Sequence, residues 1–210
     1  MALREEGGRE REPRLREFWE KEESMTGSHC HRGKSSEGFL NKDLILKELN
    51  ILPGQIILDA GCGNGYMSKK FSRLLNNTGK VFALDPDEEA IKKLKKETQG
   101  TNIEPIEAEI TATTPLEKSS IDLIYLSTVL HGFSKGQIDS FNKEVKRLLK
   151  PNGRLAVIEI HKHNTPFGPP LHIRFSPEEL KQAINLTPKS LVEVGQYFYM
   201  QIFENNSQNN

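Results

Sequence analysis

A carboxylate, a glycine turn, a second carboxylate and a histidine are the residues of this chain best placed to do chemistry. Asp59 closes the short apolar run Ile56-Ile57-Leu58, and Gly61-Cys62-Gly63-Asn64-Gly65 follows with glycine at alternate positions. Glycine turns the backbone through φ values that a Cβ forbids. It also lets a ligand lie against the main chain beside the free N–H groups of a helix start. Asp85 ends a second apolar run twenty residues past Gly65. A carboxylate there can accept both hydroxyls of a ribose lying across the strand ends. His131 lies four residues after the apolar stretch Ser120 to Ser127. An imidazole, with an unperturbed pKa of about 6.5, takes up a proton near neutral pH.

The glycine spacing narrows the ligand. The dinucleotide fingerprint is G-x-G-x-x-G, and its third glycine lets the helix pack close on the strand. Here the spacing is G-x-G-x-G, and Tyr66 holds that third place. The phosphate-cradling G-x-x-x-x-G-K-[ST] is absent, and the turn has no Lys. An acid beside an open turn suits a zwitterionic or cationic ligand better than a pyrophosphate.

These residues need a sheet edge to bring them together. Ile56 to Asp59 reads as a buried strand, and Tyr66 opens a helix with Met67, Phe71, Leu74 and Leu75 on one face. Lys80 to Asp85 is the second strand, and Asp87-Glu88-Glu89 begins a helix with acids in its first turn. Asn102 to Ile110 reads as the third strand, with Glu109-Ile110 at its end. Ser120 to Ser127 is nearly all apolar, hence central and covered on both faces. Ser127, Thr128 and His131 then fall at its carboxyl end, where an open parallel sheet holds its ligand. A helix from Lys135 stops before the turn Pro151-Asn152-Gly153, and Arg154 to Ile160 is the fifth strand. Thr165 to Ile173 is a stiff, proline-rich loop. Ser176-Pro177-Glu178-Glu179 carries a capping-box pattern, and Leu191 to Phe203 closes the chain as a hairpin.

The stretches LDAGCGNG, VFALDPD, SIDLIYLSTVLHGF and VKRLLKPNGRLAVIEI resemble the successive motifs of class I S-adenosylmethionine (SAM)-dependent methyltransferases. The resemblance is nearest to the type 11 group that contains the ubiquinone and menaquinone C-methyltransferases, and it spans about Phe39 to Phe203. It implies a Rossmann-like α/β fold: a seven-stranded, mostly parallel sheet with helices on both faces and an antiparallel last strand. It implies SAM as cofactor, leaving as S-adenosylhomocysteine. Held to the family pattern, Asp59, Gly61, Cys62, Gly63, Asn64, Gly65, Asp85, Pro86, Ser127 and Thr128 are the expected cofactor contacts. The family's adenine-binding acid falls on Ile110, with Glu109 one residue early; Glu109 and Ile110 are both expected beside the cofactor, Ile110 packing on the ring with a backbone N–H reading it. His131 is the first candidate for a base, and Tyr66, His161 and Tyr199 are weaker ones. The expected activity is methyl transfer to a small molecule. The alternative is a SAM-binding regulatory or activator module without turnover.

The chain divides into an extension over 1–38, a methyltransferase domain over 39–204 and a polar tail over 205–210. In the extension, Leu15, Phe18 and Trp19 share one face of a possible helix, either docked on the domain or serving as a lid. Lys plus Arg and Asp plus Glu are 29 each, so no basic excess favours nucleic acid. No apolar run approaches about 18 residues and no signal-peptide core opens the chain, which leads us to expect a cytoplasmic monomer or homodimer. Two cysteines, Cys30 and Cys62, make no disulfide framework. His29-Cys30-His31 and His161-Lys162-His163 lack the spacing of a metal site, and no metal is expected.

Overall fold

The computed structural model describes residues 38–206. The expected N-terminal helix around Trp19 and the His29-Cys30-His31 run lie outside the described residues. The strands are β1 (Ile56–Ala60), β2 (Lys80–Asp85), β3 (Ile103–Glu107), β4 (Ile121–Ser127), β5 (Leu149–Ile160), β6 (Thr187–Gly195) and β7 (Phe198–Glu204). They form one sheet in the order β3-β2-β1-β4-β5-β7-β6. The pairs from β3 through β5 are parallel, and β7 runs antiparallel to both β5 and β6.

Among the described residues five α-helices cover the sheet: α1 (Lys42–Leu49), α2 (Tyr66–Leu74), α3 (Glu88–Glu97), α4 (Lys135–Leu148) and α5 (Pro177–Ala183). Their apolar stripes sort into two cores. Ile45 and Leu49 of α1, Phe71 of α2, and Ile91 and Leu94 of α3 pack with Ile57, Leu123 and Ile158 on one face. Phe141, Val145 and Leu148 of α4 and Leu180 of α5 pack with Leu58, Ile124 and Val157 on the other. Full burial of a side chain such as Phe71 contributes about 1.5–3 kcal/mol. The strand residues alternate between the two cores, which is why β4 reads as a continuous apolar run.

Local signals set the helix starts. Asp87 accepts the N–H groups of Glu89 and Ala90 and caps α3. Ser134 with Gln137, and Ser176 with Glu179, form reciprocal capping boxes at α4 and α5. Pro177 stands at the first turn of α5, where its missing N–H costs nothing.

Four expectations need correction. Leu74 is exposed, because Phe71 and Leu75, one turn apart, are the residues that meet the core. β3 ends at Glu107, so Glu109 and Ile110 lie in the following turn. Pro151-Asn152-Gly153 is an irregularity inside β5, which begins at Leu149. There Asn152 takes a left-handed φ of 62° and donates to the carbonyl of Asn205 at 2.8 Å. β6 starts at Thr187, four residues before the expected Leu191.

Gly65 sets how closely α2 and α3 approach. Its φ is +71°, and a Cβ there would stand 2.4 Å from Leu94 Cδ1. Gly65→Ala should therefore cost about 2–3 kcal/mol from overpacking and left-handed strain. Trimming Leu94 to Ala first should remove the overpacking share. A double-mutant cycle on unfolding free energies tests this: strictly additive effects would show that Leu94 is not the obstacle.

Candidate functional site

The glycine turn is tied to both neighbouring strands. Gly61 and Cys62 donate their N–H groups to the carbonyl of Leu84, at 2.7 and 3.0 Å. The Gly63 N–H reaches the Asp85 carboxylate at 2.8 Å, and the Asp87 N–H reaches its other oxygen at 2.9 Å. Asp85 is thus held at the end of β2 by two backbone donors. Each of its oxygens keeps a further lone pair for a ligand hydroxyl. A Cβ on Gly63, at φ +51°, would meet nothing within 4 Å, so open space borders the turn there. At Gly61 a Cβ would strike Val129 at 2.7 Å. The three glycines therefore have three jobs: close approach to the loop after β4, an open ligand path, and close packing of α2 on α3.

The remaining turn residues are committed elsewhere. Cys62 is a buried free thiol in the core, its Sγ 3.9 Å from the Gly63 carbonyl, and burial pushes its pKa up. Asn64 spends its side-chain oxygen on the Tyr66 N–H at 2.9 Å, at the start of α2. The Tyr66 ring lies under Lys42 and Lys70, whose ammonium nitrogens sit 4.9 and 5.2 Å from its centroid. Pro86 is exposed beside Asp85. Glu109 is exposed, whereas Ile110 is buried with Leu58 and Leu84 at the ends of β1 and β2.

Asp59 is buried at the end of β1 and accepts the Ser68 hydroxyl at 2.5 Å. Burial raises its pKa from the ordinary 3.8 to about 7, with the Ser68 bond opposing the shift. Tyr125 faces it across the β1–β4 register. Burial raises the Tyr125 phenol as well, and Ser127 is close enough to oppose that shift, although its hydroxyl lacks a well-formed hydrogen bond.

The carboxyl end of β4 carries His131, the candidate base. Ser127 ends the strand, and Thr128 turns left-handed at φ 55°, a costly conformation for a β-branched residue. It persists because the Thr128 N–H is held by the Ile158 carbonyl at 2.8 Å. A single 3₁₀ turn, Leu130–Gly132, then delivers His131. Its Nδ1 lies 2.8 Å from Glu159 Oε2, and its backbone N–H donates to Glu159 Oε1 at 3.3 Å. Glu159 is fully buried, one residue from the end of β5. A carboxylate on Nδ1 holds the proton there and makes Nε2 the basic nitrogen.

Glu159, the carboxylate set against His131, is the candidate that the sequence did not reveal. Its one signal is a carboxylate within an otherwise apolar strand end, LAVIEI. The weaker candidates fare differently. The Tyr199 hydroxyl is spent on the Phe175 carbonyl at 2.8 Å and burial raises its pKa, so it is no proton acceptor. His161 Nε2 meets Glu193 at 2.6 Å, on the rim beyond β5. Among the described residues no cluster of three or more His, Cys, Asp or Glu could hold a metal ion, and no helix is long and apolar enough to cross a membrane.

The chemistry of these residues suits a SAM molecule. Asp85 keeps lone pairs for ligand hydroxyls, the open side of Gly63 leaves room against the backbone, and the apolar Ile110 borders the same strand ends. The buried Asp59 supplies the pH test of the site. The folded carboxyl holds its proton up to about pH 7, the unfolded one only to 3.8. Its contribution is therefore fully present below pH 3.8 and is lost as pH rises to about 7. The whole difference is worth about 4 kcal/mol. Asp59→Asn should abolish this part, so the stability gap between variant and wild type should widen in the variant's favour from pH 4 to 7. Denaturant titrations showing a pH-independent gap would contradict the buried, protonated carboxyl.

The chain is similar to known methyltransferases in sequence and in fold. A family model described as a methyltransferase domain matches residues 57–153. An uncharacterized methyltransferase of Synechocystis sp. is 32% identical over 155 residues, 71% of this chain and 70% of that protein. A ubiquinone/menaquinone biosynthesis C-methyltransferase of Hahella chejuensis is 30% identical over 129 residues, 60% of this chain. The chain spans about half of that longer relative, 51% of its length. The crystal structure of a SAM-dependent methyltransferase from Aquifex aeolicus superposes with a TM-score of 0.74 at 26% identity, covering 83% of this chain and 94% of the other. With the glycine turn, the strand-end acids and the sheet order all in place, the chain belongs to the SAM-dependent methyltransferases.

Proposed function

We propose that the protein methylates a small molecule at an oxygen or carbon atom that must lose a proton, with His131 as the base and Glu159 as the group that orients it. The observation that carries this reading is the 2.8 Å contact between His131 Nδ1 and the buried Glu159 carboxylate at the carboxyl ends of β4 and β5. Relatives named as a 2-phytyl-1,4-naphtoquinone methyltransferase and a ubiquinone/menaquinone biosynthesis C-methyltransferase support a small acceptor.

Asp85 and the turn at Gly63 would hold the cofactor, with Ile110, Ser127 and Thr128 beside it and Asp59 behind the turn. The cofactor supplies an electrophilic methyl on a sulfonium, whose departure leaves a neutral thioether. The protein therefore has no developing anion to stabilise on the leaving side. Its work is to align acceptor with methyl, exclude water and take the acceptor's proton at His131 Nε2. Glu159 fixes the ring's tautomer and stabilises the imidazolium that forms.

Asp85→Ala should weaken SAM binding by about 1.5–3 kcal/mol, roughly 10- to 150-fold, as charge-assisted hydrogen bonds are lost. Calorimetry showing unchanged affinity would refute the ribose assignment. The acceptor can be found by screening metabolite extracts for labelled methyl transferred from SAM. With that acceptor, His131→Ala should lower kcat by about 10²–10⁴ while SAM affinity holds. Full kcat from pH 6 to 9 on a protonated oxygen or carbon acceptor would remove His131 as the base.

A further inference from the structure

Arg174 is buried, yet it meets no carboxylate among the described residues. Its guanidinium is spent on one loop. Nε donates to the Pro169 carbonyl at 2.6 Å, and Nη2 to the Phe167 carbonyl at 3.0 Å. Nη1 reaches the carbonyls of His161 and His163, both at 3.1 Å, and Thr165 Oγ1 at 2.8 Å. One planar fork thus collects acceptors from five residues between positions 161 and 169. Lysine, with a single point of charge, cannot reproduce that pattern.

The loop is pinned on its other side by packing. Phe167 is buried and stacks on Phe39 with centroids 5.0 Å apart, and it meets Tyr197 edge-on at 5.1 Å. Gly168, at φ +99°, has Ile160 and Arg174 pressed so close that a Cβ would fall 2.5 Å from Ile160 Cδ1. Burying a guanidinium is costly unless every donor is used. Here the expense is met by carbonyls of a segment that has no helix or strand to satisfy them.

What the loop carries is a pair of imidazoles, two and four residues past Glu159. The His161 and His163 rings stack at 5.2 Å with 20° between planes. His161 is held further by Glu193 at 2.6 Å and by the Tyr199 ring at 5.1 Å. Tyr199 faces Glu159 across the β5–β7 ladder, and Glu193 faces Tyr199 across β6–β7. His161 follows Glu159 by two residues, about 7 Å along the strand direction on the same face. A continuous run therefore connects His131, Glu159, Tyr199 and His161.

We propose that Arg174 is a positioning residue: it fixes the loop after β5 so that the stacked His161–His163 pair forms a preset wall on the acceptor side of the site. His161 is the contact residue of that wall. With Glu193 on Nε2, its Nδ1 offers the acceptor a hydrogen-bonding nitrogen, separate from the one that takes the proton at His131. The proposal rests on the His131 reading only for where the acceptor lies.

The test follows the imidazole NMR signals in the S-adenosylhomocysteine complex, with 4-methylphenol as probe. In the wild-type protein the His161 signal should shift saturably on adding the phenol. Arg174→Lys should weaken that response about tenfold, while S-adenosylhomocysteine affinity stays within about twofold. Thr165→Val removes one anchor only and should fall between the two, which keeps the test decisive if Arg174→Lys does not fold. A phenol response equal in all three proteins, with only the melting temperature lowered, would make Arg174 a structural clip and overturn the proposal. A wild-type His161 signal that ignores the phenol overturns it too. Labelled methyl that never reaches an oxygen or carbon acceptor, alongside an Arg174-dependent His161 response, would leave the wall standing and defeat the His131 reading instead.

Discussion

A parallel sheet brings all its carboxyl ends to one edge, and there the last carbonyls must find donors outside the strands. In this protein the loops that leave the strands supply them. Gly61 and Cys62 cap Leu84 of β2, and Thr128 caps Ile158 of β5. Each loop is thus anchored to the neighbouring strand, not to its own. The glycine turn is fixed against β2, so Asp85 stands beside Gly63. The β4 loop is fixed against β5, so His131 stands beside Glu159. The positive φ at Gly61, Gly63 and Thr128 is the conformational cost of making those cross-strand bonds.

The second constraint is the burial of carboxylates at this edge. A buried acid is costly unless it is hydrogen-bonded or neutral. Asp59 keeps a proton to about pH 7 and accepts the Ser68 hydroxyl. Glu159 is surrounded by donors, taking both the backbone N–H and the ring of His131. Asp85 is only half-buried and takes two backbone N–H groups. Three acids at one edge therefore have three environments. One is a neutral support under the turn, one is paired with the His131 ring, and one is held between two backbone donors with lone pairs to spare.

Much of this was legible in the residues. Strand, glycine turn and helix each follow from local periodicity and glycine spacing, and Asp59 and Asp85 announce themselves as acids closing apolar runs. What stayed hidden depends on partners distant in the chain. Glu159 meets His131 across 28 residues, and the strand around it reads simply as core. Arg174 acts on backbone carbonyls, which no side-chain pattern encodes. The packing role of Gly65 needs Leu94, on the next helix but one strand away. The end of β3 is blurred in the sequence because Ala108 still donates to the Asp85 carbonyl beyond the last strand residue, so no sharp signal marks the boundary.

In the proposed mechanism a buried carboxylate makes His131 a base for the methyl acceptor. The most direct measurement is the pH dependence of kcat for Glu159→Gln beside the wild type, with the acceptor found from labelled SAM. Glutamine keeps the shape and one hydrogen bond but removes the charge that favours the imidazolium. The account predicts an acid limb moved to lower pH and a plateau lowered by about tenfold or more, with SAM affinity unchanged. Superimposable profiles for the two proteins would contradict it.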